Sequence, residues 1–566
     1  MAAKDDLIKA IVKAAKIKAE EFTDLLEVPA DPKLGDFALP CFKLSKHFKR
    51  NPNLIAEDLV KAIDLPESIQ RAEAKGPYIN FFVNNSLLMK ELVETILKEK
   101  EKFGSLKSNK KTFLVESPGP NTNKPLHLGH IRNLFLGDSI ARIYSKLGYN
   151  VKRINIINDR GIHVCKSMLA YQKWGNNKEP VNEKSDHFVG DFYVMFARNA
   201  ADEPKFEEEA QEMLRKWEAG DKEVLAIWEK MNKWCIDGHK QTYKSLDFKH
   251  DKEYLESKTY KKGKEIVLEG LKKNLFYKTA DGAVAINLGK ELGEKILIRK
   301  DGTSLYITQD LYLAEKRFED FKFDKLVYVV GNEQEYHFKV LFELFKLLKK
   351  PFADKCYHLS YGMVNLESGK MKSREGTVID ADDLIQETKD LAKVEVEARN
   401  PSMTEHEKEA LGKAIGLSAI KFAFLKFDAK KDFVFKPGES VKFDGTTGPY
   451  LQYSLVRAKK IQQKVDKKVS KPDFKLLTDP AEIKLAKKLA LFPETVENTA
   501  KAYSPHILAN YSYELSQTFN EFYESVSVAN AGTPAIQNAR LALVQAFEII
   551  IGNCLDLLGI EKVNQM

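Results

Sequence analysis

Two imidazoles flank a glycine at His127-Leu128-Gly129-His130. A loop dense in proline, glycine and asparagine, from Ser117 to Pro125, comes before them, and a run with helical apolar spacing comes after. At the start of a helix these residues border free backbone N–H groups and the positive end of the helix dipole. That position favours an anion, most often a phosphate. Gly129 lets a ligand approach the backbone, and both imidazoles can donate hydrogen bonds to phosphate oxygens. A second group is Gly369-Lys370-Met371-Lys372-Ser373-Arg374-Glu375-Gly376. Its end glycines predict a mobile loop, and its three cations suit a triphosphate and a departing pyrophosphate. A third group pairs Tyr306 with Asp310, one helical turn apart. A fourth, Gly331 to Phe338, sets Gln334 and His337 just beyond an apolar run. Each has a plainer reading, such as surface histidines, a solvated basic loop or a local ion pair. Their succession in one chain points to a nucleotide.

The elements that must position these groups follow from the pattern. Phe113 to Val115 predicts a buried parallel strand. Leu128 to Leu147 predicts a helix with Ile131, Leu134, Phe135, Ile140 and Ile143 on its apolar face, stopped at Gly148. Val151 to Ile157 predicts a second strand, closed by Asn158-Asp159-Arg160-Gly161. This strand–helix–strand order fits a doubly wound sheet with ligands at the strand ends. From about 170 to 290 long polar helices are expected as an insertion, with Trp217, Trp228 and Trp234 packing helix on helix. The nucleotide fold is expected to resume near Leu297, with further strands at Lys325 to Val330 and Tyr357 to Leu366. From about 381 onward the chain reads as helical.

The 566 residues are too many for one core. No apolar run is long enough to span a membrane. The N-terminal Met-Ala-Ala-Lys-Asp-Asp carries no signal-peptide apolar region, so a cytoplasmic location is expected. Five scattered cysteines argue against a disulfide framework or a cysteine-based zinc site. The net charge of +8 suits a polyanionic partner without requiring one.

The string Ser117-Pro118 through Asn121, Lys124, His127 to Arg132 and Gly137-Asp138 resembles the HIGH signature of class I aminoacyl-tRNA synthetases, in the form found in arginyl-tRNA synthetases. Phe443 to Tyr453 is similar to the opening of their anticodon-binding domain, and Gly369 to Gly376 to their KMSKS loop, with Ser373 where a second lysine is usual. The resemblance implies a multidomain α/β protein. Its expected parts are a small α+β N-terminal tRNA-contacting domain (1–108), a Rossmann-like parallel-sheet catalytic domain with the helical insertion (109–380), a connecting helical region (381–440) and an all-α anticodon-binding domain (441–566). It implies ligation of L-arginine to tRNA(Arg) with ATP, Mg²⁺ accompanying the ATP, no protein-built metal site and a monomer. His127, His130, Lys124, Lys370 and Lys372 are the implied catalytic groups, with Lys124 supplying the charge absent at Ser373. Gly129, His337, Met371 and Ser373 join them around ATP. Asn155, Tyr306, Asp310 and Gln334 are implied at the arginine, and Tyr511 and Met566 on the anticodon side. Position 150 holds Asn where some relatives place Glu, and Arg160 replaces the usual Trp. Another class I synthetase, a small-molecule nucleotidylyltransferase and a non-catalytic RNA-binding relative stay open at this point.

Overall fold

The computed structural model describes residues 2–17, 26–29, 31–366, 380–465 and 469–566. The chain forms two compact units. One comprises Met1–Phe103, Ser454–Pro493 and Glu514–Gly552; the other comprises Gly104–Tyr453, Glu494–Tyr513 and Asn553–Met566.

In the first unit, strands β1 (Phe37–Pro40), β2 (Ile69–Lys75) and β3 (Tyr78–Val83) make an antiparallel sheet in the order β1-β3-β2. Helices α1 (Ala2–Ala15) and α2 (Pro52–Ala62) cover it, burying Leu7, Ile11, Ile55 and Leu59 with Leu39, Ile79 and Phe81. Asn51 caps α2, its side chain accepting from the Asn53 N–H, and Pro52 takes the first helical position where no N–H is needed.

The second unit is built on five parallel strands, of which the first three in chain order are β4 (Thr112–Glu116), β5 (Asn150–Ile157) and β6 (Lys252–Leu255). After β6 comes a small antiparallel sheet of β7 (Tyr277–Lys278), β8 (Val284–Asn287) and β9 (Glu294–Ile298). The parallel sheet then continues with β10 (Lys325–Gly331) and β11 (Cys356–Tyr361), in the order β11-β10-β4-β5-β6. The chain winds outward from β4 on one side and returns beside β4 with β10. The crevice at their carboxyl ends is the switch point where such sheets bind ligands. Helix α3 (Leu128–Lys146) leaves β4 there. Gly148 ends it with φ +82°, and a Cβ at that position would lie 2.3 Å from the Lys107 carbonyl oxygen, so only glycine fits.

Three expectations need correction. The stretch 170–290 is helical only in part. It holds α4 (Ser185–Asp202) and α5 (Lys222–Ser245), but β6 then joins the main sheet beside β5, and β7 and β8 follow. The strand containing Leu297 is β9, paired antiparallel with β8, so the parallel sheet resumes only at β10. The run Tyr357 to Leu366 is two strands, because Gly362 and Met363 interrupt it. The second, β12 (Val364–Leu366), pairs with β13 (Phe433–Phe435) instead of the main sheet. Trp217 and Trp228 do pack edge to face, with centroids 5.5 Å apart. Beyond residue 447 the described elements are helical, with Ser454–Pro493 and Glu514–Gly552 in the first unit and Glu494–Tyr513 and Asn553–Met566 in the second.

Candidate active site

His127 is the N-cap of α3. Its Nδ1 accepts from the Gly129 N–H at 3.2 Å, while His130 Nδ1 accepts from the His127 N–H at 3.1 Å. The two rings lie with centroids 3.8 Å apart. Burial lowers the pKa of His127 to about 3, with Lys124 acting in the same direction; burial, His127 and Lys124 push His130 well below its ordinary value. Both rings are therefore neutral near pH 7. In a neutral ring one nitrogen accepts and the other carries the proton. Since each Nδ1 accepts, each proton sits on Nε2, and the helix start presents two Nε2–H donors. A Cβ on residue 129 would lie 3.1 Å from His127 Cε1, so glycine leaves room beside the ring.

Lys124 stands in the loop just before this corner. Its ammonium is partly buried, and burial lowers its pKa. Among the described residues no carboxylate lies within ion-pair distance of it. A half-buried cation with no carboxylate partner among the described residues, beside two neutral donors and a helix N-terminus, makes a place for an anion.

Lys370, Met371, Lys372 and Ser373 lie outside the described residues. Both flanks of their loop are tied to the start of α3. Before it, the buried Arg132 guanidinium donates to the carbonyl oxygens of Gly362, Ala429 and Lys431. After it, Asp380 bridges to His127, and the Ala381 N–H donates to Leu126 O at 2.9 Å. His187 lies 3.2 Å from Asp380 and 3.3 Å from Asp382, whose hydrogen bonds raise its pKa to about 10. Against the cost of burial, His187, Lys184 and Thr242 hold the Asp382 carboxyl down at about 2. Asp186, His187 and Asp382 are the one group among the described residues spaced to hold a metal ion, but the Lys184 ammonium is already paired with both carboxylates.

On the other side of the switch point, Asn155 is fully buried near the end of β5 and accepts from the Gly119 N–H at 3.1 Å. Helix α6 (Lys262–Lys272) packs on α7 (Tyr306–Phe321), whose start at Tyr306 sets Tyr306 and Asp310 one turn apart. Asp310 sits one turn along and meets His337 Nε2 at 2.7 Å. The structure thus joins a residue expected at arginine to one expected near adenosine. Tyr306 is 72% exposed, and Gln334 is exposed as well.

Sequence reasoning missed Glu256, the first residue after β6. It is buried, and burial raises its pKa to about 7, with Asp159 and Asp310 acting in the same sense. Its position one residue past a parallel strand was the available signal. Arg160, the departure at the turn, lies 3.8 Å from Glu256, pairs with Glu218 at 2.6 Å and covers the Tyr260 ring. Tyr511 and Met566, expected on the anticodon side, are buried in their own unit at 6% and 8% exposure.

A doubly wound parallel sheet with a paired-histidine helix start at its switch point defines a class I aminoacyl-tRNA synthetase catalytic domain. Residues 92–436 match the family model for the class I (R) tRNA synthetase catalytic domain. Residues 2–83 match the arginyl-tRNA synthetase N-terminal domain, and 451–566 the DALR anticodon-binding domain. The chain is 45% identical over 557 residues to the arginine–tRNA ligase of Treponema denticola, covering 96% of this chain and 94% of that one. It is 40% identical over 574 residues to that of Borrelia hermsii, covering 99% and 97%. The arginyl-tRNA synthetase structure from Thermus thermophilus superposes with a TM-score of 0.86 at 26% identity over the full length of both chains. The chain belongs to the arginyl-tRNA synthetase family.

Proposed function

We propose that the switch-point cleft carries out arginine–tRNA ligation in two steps. In the first, an arginine carboxylate oxygen attacks the α-phosphorus of ATP, and the bond to pyrophosphate breaks. In the second, the 2′-hydroxyl of the terminal adenosine of tRNA(Arg) attacks the arginyl carbonyl carbon and loses its proton, and AMP leaves. Neither step needs a covalent enzyme intermediate; positioning and charge stabilisation supply the rate.

The Nε2–H groups of His127 and His130 donate to phosphate oxygens as negative charge builds. Gly129 admits the phosphate to the helix start. Lys124 supplies the cation that Ser373 does not, and Lys370 and Lys372, with Met371, close over the triphosphate. Asp310 faces the guanidinium, with Glu256 as a second carboxyl and Asn155, Tyr306 and Gln334 around the amino acid. His337 links that pocket to the adenosine. Mg²⁺ arrives with ATP and adds its charge to the phosphates. The protein acts as a cytoplasmic monomer. No described helix is long and apolar enough to cross a membrane.

The observation that carries this reading is the Lys124 ammonium, half-buried and with no carboxylate partner among the described residues, beside two neutral imidazole donors. Lys124→Ala should lower ATP–pyrophosphate exchange by roughly 10²–10³-fold, the cost of removing one aimed charge-stabilising group, with the thermal midpoint retained. A rate within a few-fold of wild type would refute it. Exchange assayed with each amino acid, with and without tRNA, should respond to arginine alone and only when tRNA is present; exchange with another amino acid would overturn the substrate assignment.

A further inference from the structure

Helix α5 of the insertion carries five hydrogen-bonding side chains on one face: Trp228, Asn232, Cys235, His239 and Thr242. Their spacing of four, three, four and three residues keeps them in a single stripe. The first four reach loops of the site. Trp228 Nε1–H and Asn232 Nδ2–H donate to Asp159 O in the turn after β5, and Asn232 Oδ1 accepts from the Thr122 hydroxyl. Cys235 Sγ approaches Lys124 O at 3.6 Å, and His239 Nε2–H donates to the same oxygen at 2.9 Å. Thr242 donates to Asp382 Oδ1 at 3.0 Å, in the first turn of the helix Ala381–Arg399. Asn232, Cys235, His239 and Thr242 are all buried.

A buried imidazole must find a partner, and one facing a helix neighbour would be ordinary core. His239 instead donates to the backbone of Lys124, whose ammonium has no carboxylate partner among the described residues. The loop is confined on a second side, because a Cβ at Gly190 of α4 would lie 2.7 Å from Pro125 Cδ. With the peptide plane of Lys124 fixed by His239, the side chain leaves the backbone in one direction.

We infer that His239 is a positioning residue: its hydrogen bond to the Lys124 carbonyl sets where the Lys124 ammonium stands against the phosphates. This rests on the role given to Lys124 above. It assigns the insertion a task in the first chemical step, performed through backbone and without touching substrate. A misplacement of about 1 Å in such a group can cost as much as 10²-fold in rate.

The test is a double-mutant cycle in the full-length protein, read by ATP–pyrophosphate exchange as kcat and KM for ATP, with thermal midpoints alongside. His239→Ala should lower kcat roughly 10- to 100-fold with a smaller change in KM. His239→Gln, which keeps an N–H donor at similar reach, should restore it to within a few-fold. In a Lys124→Ala background, His239→Ala should cost less than about 2-fold more, since two residues acting through one ammonium are not additive. If His239→Ala does not fold, His239→Leu fills the volume without a donor and takes its place. Equal losses in both backgrounds, or a Gln variant no better than Ala at the same midpoint, would overturn the inference. Lys124→Ala alone reports on the underlying reading: full activity there sinks the role of Lys124 and this inference with it. A slow Lys124→Ala with additive His239 effects sinks this inference only.

Discussion

Two histidines of the second unit titrate with opposite sign, and each should leave its own mark on stability. His127 has its folded-state pKa lowered to about 3, chiefly by burial. The unfolded chain takes up its proton near pH 6.5, so the stability linked to His127 is present above that pH and lost as pH falls toward 3. His187 has its folded-state pKa raised to about 10 by hydrogen bonds to Asp380 and Asp382. Its contribution is complete below pH 6.5 and lost as pH rises through about 10. Thermal midpoints of wild type, His127→Asn and His187→Gln at pH 5.5, 7 and 9 check both. His127→Asn should flatten the decline on the acid side. His187→Gln should lower the midpoint most at pH 5.5 and least at pH 9. Parallel curves for all three proteins would mean that neither ring titrates differently on unfolding. The same shift bears on catalysis, since His127 stays neutral at pH 6 and should not itself reduce activity there.

At the level of elements, the proposed arginine side of the cleft depends on how closely α6 approaches α7. Gly263, in the first turn of α6, lies so near that an added Cβ would stand 2.0 Å from Thr308 O, a backbone atom. Gly263→Ala must therefore push the first turn of α7, where Tyr306 and Asp310 stand. We expect a loss of about 1–3 kcal/mol from overpacking, and KM for arginine raised several-fold while KM for ATP changes little. Equal changes in both constants would place the disturbance elsewhere. Elements with strong local signals were readable from sequence. β4, α3 and the start of α7 show apolar periods closed by glycine, proline or polar residues, which local physics sets. The edge position of β6 was not readable, because it depends on pairing with β5 some hundred residues earlier. The partners of Glu256 and Arg160 were hidden for the same reason: Arg160 meets Glu218 and Tyr260 only after the insertion has folded back. The buried state of Tyr511 and Met566 could not be told from an exposed aromatic and a chain terminus by residue type alone.

The whole second unit closes on residues far along the chain. Asp138 of α3 is held by Arg142 at 2.7 Å and Arg153 at 2.8 Å, and against the cost of burial these arginines keep its carboxyl below the ordinary range. One turn away, Arg142 donates to Asp556 O at 3.2 Å, and Ser139 donates to Leu557 O at 3.0 Å. The buried Lys421 donates to Gly559 O and the buried Gln452 to Glu561 O. The helix that begins at the paired histidines is thus braced by residues more than 400 positions later. Removing residues 559–566 takes away both acceptors and leaves Lys421 and Gln452 with polar groups buried and unmatched, at about 1–3 kcal/mol each and more for the charged one. The truncated protein should unfold several degrees lower and lose exchange activity, although none of the eight residues belongs to the proposed nucleotide corner. Lys421→Met separates the two causes. It removes the stranded charge, so in the truncated chain it should recover part of the lost midpoint, whereas in the full-length chain it should lower it. A midpoint and kcat unchanged by the truncation would show that the unit does not depend on the contacts at Gly559 and Glu561, since the α3 partners Asp556 and Leu557 remain in the truncated chain.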